Sequence, residues 1–256
     1  MDDDLTELLA LAERAAQIAA DIVMPLFHGD FSVDLKSDGT PVTNADRGAE
    51  EAMRAFIERE CPGHGILGEE FAELEGSGRY RWILDPIDGT KSFVHRVPLF
   101  GTLIAIERDG EPVVGLIACH AVGETVKAAR GLGASLNGRP VRVSTTAKLD
   151  EASVMLTSVQ GLSKYQPETG SYERLMQSAK LLRTWGDCYG YLLVASGRAD
   201  AMLDPVMNHW DVAALYPVIT EAGGRITTWQ GDPGPGTSAV ASNGVLHREL
   251  LETLGS

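Results

Sequence analysis

The stretch Asp85-Pro86-Ile87-Asp88-Gly89-Thr90, which follows the apolar run Trp82-Ile83-Leu84, decides how the chain is read. An apolar run closed by a turn signal predicts a buried strand, with the two carboxylates just past its end. Pro86 fixes its own φ and holds Asp85 extended, Gly89 permits a sharp turn, and Thr90 is expected to cap the helix that starts there. Asp85, Asp88 and the Ile87 carbonyl between them present a hard, all-oxygen surface that suits Mg²⁺ or Mn²⁺ and suits neither zinc nor copper. Amides exposed after Gly89 offer a place for a phosphate oxygen. A cation site beside an anion site points to phosphoryl chemistry. The same residue types are also the commonest turn formers, and an acid near a helix start is favourable with no metal at all. Both readings stand until the rest of the chain is considered.

The formal net charge of −14 argues against a protein that holds nucleic acid or an anionic membrane through a basic face. Cys61, Cys119 and Cys188 are odd in number and lack metal spacing, so buried small hydrophobes are expected rather than a disulfide or zinc framework. That fits a reducing compartment. The opening Met1-Asp2-Asp3-Asp4 reverses a signal peptide's basic start, and no apolar run is long enough to span a bilayer, so a cytoplasmic location is expected. The length allows one large domain or two modest ones.

Leu8, Leu11, Ala15, Ala19, Ile22 and Leu26 recur at helical spacing, and Pro25 and Gly29 are expected to end that helix. Residues 31–36 alternate like a strand leading into the turn Ser37-Asp38-Gly39-Thr40-Pro41. Thr43-Asn44-Ala45-Asp46 is close to a capping box and introduces a helix towards Glu60, so Asp46 reads locally as a cap. Ile66-Leu67 is a short buried strand, and Gly68-Glu69-Glu70 places acids at its end, which read locally as solvated. Segments 99–107 and 112–119 around Asp109-Gly110, followed by 124–129, predict an antiparallel sheet. Near 144–150 the pattern passes to alternating strand and helix. A subdomain of 1–147, carrying most candidate metal ligands, and a second of 148–256 follow. In the second, strands are expected at 153–157, 181–185, 201–203, 225–229 and 238–241. Helices are expected at 172–179, 187–196, 210–222 with a bend at Pro217, and 245–254, with a loop at 160–170. Asp211 opens the helix at Trp210, where its carboxylate can face a metal or simply favour the helix dipole.

Thr43-Asn44-Ala45-Asp46, Gly68-Glu69-Glu70, Asp85 through Phe93, and Trp210-Asp211-Val212-Ala213 followed by Glu221-Ala222-Gly223-Gly224 together resemble the ordered signature of the inositol monophosphatase family. The resemblance covers nearly the whole chain. It implies an α/β fold layered α-β-α-β-α, dependence on two or three Mg²⁺ ions with Mn²⁺ as a substitute, lithium sensitivity and a homodimer. By the same resemblance Glu69, Asp85 and the Ile87 carbonyl bind a first metal. Asp85, Asp88 and Asp211 bind a second, with Asp85 bridging, and Glu69 could hold a weaker third. Such metals neutralise the phosphate, stabilise the leaving alkoxide and make water more acidic. The Thr90 hydroxyl, linked to Asp46, then orients and deprotonates the attacking water, Glu69 joins the catalytic set, and the Gly89 and Thr90 amides hold the phosphate.

Substrate identity must come from residues that do not touch the metals. Arg183 through Tyr191 departs from the small-residue type usual in the inositol enzymes and looks like the histidinol-phosphate phosphatase branch. Asp187 is the informative change, because histidinol phosphate carries an ammonium and a partly cationic imidazole that a carboxylate would favour. Taken alone, Asp187 after Gly186 also reads as a helix cap. Asp204 sits where the family has an acid that contacts the leaving group, and Arg183 joins as a substrate contact. Hydrolysis of L-histidinol phosphate in histidine biosynthesis is therefore expected. Inositol 1-phosphate or a broad range of sugar phosphates is the nearest alternative. A nucleotide phosphatase, without an obvious basic pocket, and a non-catalytic RNA- or protein-binding relative lie further off.

Overall fold

A computed structural model describes residues 5–165 and 170–255; the acidic opening Met1 to Asp4 and residues 166–169 of the expected loop lie outside them. The first part of the chain runs α1 (Leu5–His28), β1 (Val33–Leu35), β2 (Pro41–Thr43), α2 (Asn44–Glu60), β3 (Gly65–Gly68), β4 (Tyr80–Asp88), α3 (Thr90–Val94), β5 (Gly101–Arg108), β6 (Glu111–Cys119), β7 (Glu124–Ala129), β8 (Gly133–Leu136) and β9 (Arg139–Val141). The second runs β10 (Ser153–Leu156), α4 (Val159–Tyr165), α5 (Ser171–Ser178), β11 (Leu181–Arg183), α6 (Cys188–Ala195), β12 (Ala201–Asp204), α7 (His209–Val212), α8 (Leu215–Glu221), β13 (Arg225–Thr227), β14 (Ala239–Ser242) and α9 (His247–Leu254).

Strands β3 to β9 form a seven-stranded sheet in sequence order, and the other large sheet has the order β11-β10-β12-β14-β13. All pairs in the first sheet are antiparallel except β3 with β4. Helices α1 and α2 cover its outer face, α6 and α8 lie between the sheets, and α9 lies on the far face of the second. The result is five layers, α-β-α-β-α. Period-two alternation builds it: on β4, Trp82 and Leu84 enter the outer core while Ile83 enters the core between the sheets. Buried apolar side chains in three clusters supply most of the driving force. Cys61, Cys119 and Cys188 are free and buried. No helix among the described residues is long and apolar enough to cross a membrane.

Several local expectations need correction. The acids of the hexapeptide lie within β4 rather than past its end. Helix α1 continues through Pro25 to His28, since a proline in the last turn forfeits only one ladder bond. The expected loop at 160–170 begins as α4. The single helix expected at 210–222 is two, α7 and α8. Pro217 lacks an amide and crowds the carbonyl four residues back, so the break falls at Ala213-Ala214 rather than at Pro217 itself.

Candidate active site

The acids on β4 converge because of a register shift. Asp85 pairs with Leu103 and Asp88 with Gly101, so three steps along β4 match two along β5. In a regular strand, residues three apart face opposite sides, and the extra residue of a bulge turns both acids to one side. Pro86, which cannot donate to a ladder, sits inside the irregularity, and its carbonyl instead accepts from Thr102 Oγ1 at 2.9 Å. The amide of Ile87 donates to Asp85 Oδ1 at 3.0 Å, which fixes the first carboxylate. Asp88 Oδ2 accepts from the Cys188 amide at 2.5 Å, where α6 begins.

Asp211 arrives from α7. Its Oδ2 accepts from the Asn208 amide at 2.6 Å in a capping box, so it is both a cap and a member of the cluster. Trp210 packs against the core between the sheets, as an anchor should. One oxygen each from Asp85, Asp88 and Asp211 lies within 4.8 Å of the others. Glu69, at the exit of β3, is within hydrogen-bonding reach of Asp85.

The electrostatics follow from this crowding. Burial, then Glu69, Asp88 and Asp211, push Asp85 well above the usual carboxylate range; burial, then Asp187 and Asp211, do the same to Asp88. Asp211 is pushed up to about 6, by burial first. The groups that raise Asp85 are all acids. A cluster of hard oxygens, buried at Asp85 and half-buried at Asp88 and Asp211, that raises its own proton affinity fits a divalent cation, and the donor set matches magnesium or manganese chemistry.

Gly89 takes the left-handed conformation at φ +84°, and a side chain there would press on Asp187 Oδ2 and the Leu99 carbonyl, each 3.1 Å from the Cβ position. Gly89 therefore holds the cap position of α3, and Thr90 is its first residue rather than its cap. The freed Thr90 hydroxyl turns back to the Ile87 carbonyl at 3.0 Å and to Asp46 Oδ1 at 3.4 Å. Asp46 serves twice. Its Oδ2 accepts from the Thr43 amide and hydroxyl in the expected capping box, while Oδ1 faces Thr90, and burial raises its pKa.

A cavity of about 130 Å³ is lined by Asp88 and Asp211 together with Asp187 and Asp204. Asp187 occupies the N-cap position of α6 but makes no side-chain cap bond, so the plain cap reading does not account for it. Its backbone is left-handed at φ +50°, a strained state for a non-glycine residue, and its amide donates to Thr157 Oγ1 at 3.0 Å. Asp204, at the end of β12, accepts from the Tyr191 hydroxyl at 2.8 Å. Burial pushes Asp187 up to about 6, with Lys91 opposing, and Asp204 up to about 7, with Thr157 and Tyr191 opposing.

Arg183 is not brought to this cavity. It lies exposed on the edge strand β11, bonded to the Leu182 carbonyl, beside a separate hollow lined by Tyr172 and Met176. Sequence reasoning missed Lys36, whose ammonium meets Glu69 at 2.8 Å and Glu70 at 2.7 Å across the cluster's rim. Burial alone would lower its pKa, but those two contacts hold it above the usual lysine value. It also missed Thr157 and Tyr191. The one available signal for Lys36 was its place next to the turn at 37–41.

With this geometry in hand, the model of the inositol monophosphatase family matches residues 4–256. The chain is 42% identical to a histidinol-phosphatase from Chlorobaculum parvum, covering all of this chain and 98% of that one. It is 43% identical to a histidinol-phosphatase from Mycobacterium tuberculosis, over 99% of this chain and 98% of the other. Among solved structures, an inositol monophosphatase from Zymomonas mobilis superposes with a TM-score of 0.87 at 34% identity, covering 99% of this chain and all of its own. The chain is thus a phosphatase, and it belongs to the inositol monophosphatase family.

Proposed function

We propose that the cavity hydrolyses L-histidinol phosphate to L-histidinol and phosphate, with Mg²⁺ as cofactor, as a step of histidine biosynthesis. The observation that carries this reading is that Asp187 and Asp204, two acids outside the cation cluster, line the same cavity as Asp88 and Asp211. The ester's phosphate belongs with the first acids and their cations, and its cationic amino alcohol belongs between the second pair. Similarity to two histidinol-phosphatases supports the same substrate.

Asp85, Asp88 and Asp211, with Glu69 and the Ile87 carbonyl beside them, would hold the ions. When bound, Mg²⁺ supplies charge neutralisation at the phosphate and leaving oxygen and makes water a better nucleophile. Thr90 Oγ1 orients the attacking water, takes its proton, and passes its own to Asp46 Oδ1. Burial makes Asp46 a better proton acceptor than an exposed carboxylate. The Gly89 and Thr90 amides, at the start of α3, hold a phosphate oxygen. A homodimer is supported by the family resemblance, and a reducing cytoplasm by the three free cysteines.

Replacing Asp187 with Asn tests the assignment. KM for histidinol phosphate should rise about tenfold, the effect of losing one charge-assisted contact, with a neutral phosphate ester little changed. Equal effects on both esters would remove the specificity argument. Hydrolysis of inositol 1-phosphate is the second reading, favoured by the Zymomonas mobilis relative.

A further inference from the structure

Glu50 is fully buried on α2, one helical turn beyond Asp46, and the functional reading above gives it no role. Its carboxylate meets only donors. Oε2 accepts from the Glu70 amide at 2.8 Å, Oε1 accepts from Arg54 Nε at 2.8 Å, and the Phe71 amide also bonds to it. Arg54 in turn donates to the Phe71 carbonyl at 3.2 Å. On the other side of the turn, the Glu69 amide donates to the Leu84 carbonyl at 3.2 Å, next to Asp85. Gly68 completes the fit, because a Cβ there would lie 2.0 Å from Glu50 Oε1.

Burying a charge is costly unless every partner is in place. A glutamine would avoid that charge, but its amide nitrogen would face another donor. The ionised carboxylate can accept from all of them, and each such bond is stronger than its neutral counterpart. The glycine before Glu69 has given up its side chain to let this carboxylate in.

We propose that Glu50 is a positioning residue for the cation site: through the Glu70 and Phe71 amides it fixes the turn after β3 and so holds the Glu69 carboxylate beside Asp85. This inference rests on the reading of Glu69 as a cation ligand. Groups that orient a metal's ligands through one intervening bond commonly change metal affinity 10- to 100-fold when lost.

The test is a Mg²⁺ titration of turnover, paired with Mn²⁺ binding to the substrate-free protein by electron paramagnetic resonance. Glu50→Gln should raise the half-saturating Mg²⁺ concentration about tenfold and weaken Mn²⁺ binding alike, with KM for the ester unchanged and kcat recovered at saturating Mg²⁺. Gly68→Ala should act in the same direction. A lowered Tm with a wild-type Mg²⁺ requirement would mark Glu50 as merely structural and overturn the proposal. If Glu50→Gln does not fold, Arg54→Gln carries the test, since it leaves the carboxylate and its amide bonds but removes the counter-charge. A smaller rise in Mg²⁺ requirement supports the proposal there, and no rise overturns it. Asp88→Asn separates the two levels: Mg²⁺-dependent turnover close to wild type in that variant refutes the cation site itself, whereas a loss of about 10³-fold or more in Asp88→Asn with an unaltered Glu50→Gln refutes only the role of Glu50.

Discussion

Asp85 and Asp88 in the cation cluster, and Asp187 and Asp204 in the cavity beside it, are two pairs of buried or half-buried acids with raised pKa values, yet they are held differently. After burial, Asp85 is raised by Glu69, Asp88 and Asp211, so every charged neighbour repels it and only the neutral Ile87 amide donates to it. After burial, Asp204 is eased back by hydroxyls from Thr157 and Tyr191, and Asp187 by Lys91. A cluster of mutually repelling oxygens calls for a small, dense cation. A pair that has an ammonium or hydroxyl donors among its neighbours, Lys91 for Asp187 and Thr157 and Tyr191 for Asp204, suits a larger cation of lower charge density, which can use directional bonds. The same burial therefore serves two kinds of ligand, and the neighbours decide which.

The largest expected break in this contrast is Asp88→Asn. It should cost several kcal/mol of transition-state stabilisation, on the order of 10³-fold in kcat or more, for every ester assayed. The metal-free variant should nonetheless melt at or above the wild-type temperature, because one repelling charge is gone. A calorimetric scan in chelator checks this, and a clear drop in Tm would contradict the crowding argument.

The second expected effect is on pH. An unfolded aspartate ionises near pH 4, whereas folded Asp204 keeps its proton up to about 7. Across that window the folded state binds more protons than the unfolded one, so stability falls as pH rises and levels off above about 7. Full ionisation of Asp204 opposes folding by roughly 4 kcal/mol on the shift alone. Denaturant melts of metal-free protein at pH 5 and pH 8 should show the loss, and Asp204→Asn should lose less. Identical losses in the two proteins would exclude Asp204 as a source.

Smaller still is Tyr191→Phe. It removes one hydrogen bond from Asp204 and should cost about 1 kcal/mol of stability, with a KM change confined to the cationic ester. A matching KM change with a neutral ester would assign Tyr191 to general packing instead.

Much of this was legible before the fold was known, because periodicity and turn chemistry are local. Helices α1 and α2, the hairpin at Asp109-Gly110 and the buried run before Asp85 all follow from spacing. The order of the acid motifs likewise carried the family and the layered fold. What was hidden depends on contacts between distant segments. The bulge that turns Asp85 and Asp88 the same way exists only in the pairing with β5. The carboxylate of Glu50 under Gly68 and the ammonium of Lys36 on Glu69 join residues 18 to 33 positions apart, and neither has a local signature. The placement of Arg183, exposed on the edge strand β11 and away from this cavity, likewise depends on sheet order rather than on its neighbours in sequence.

The most direct measurement is phosphate release from a panel of monoesters by the purified protein, with Mg²⁺ and with chelator. The account predicts Mg²⁺-dependent turnover in which kcat/KM for L-histidinol phosphate exceeds that for inositol 1-phosphate by about tenfold or more, as one or two charge-assisted contacts require. Turnover that favours inositol 1-phosphate, or that persists undiminished in chelator, would contradict it.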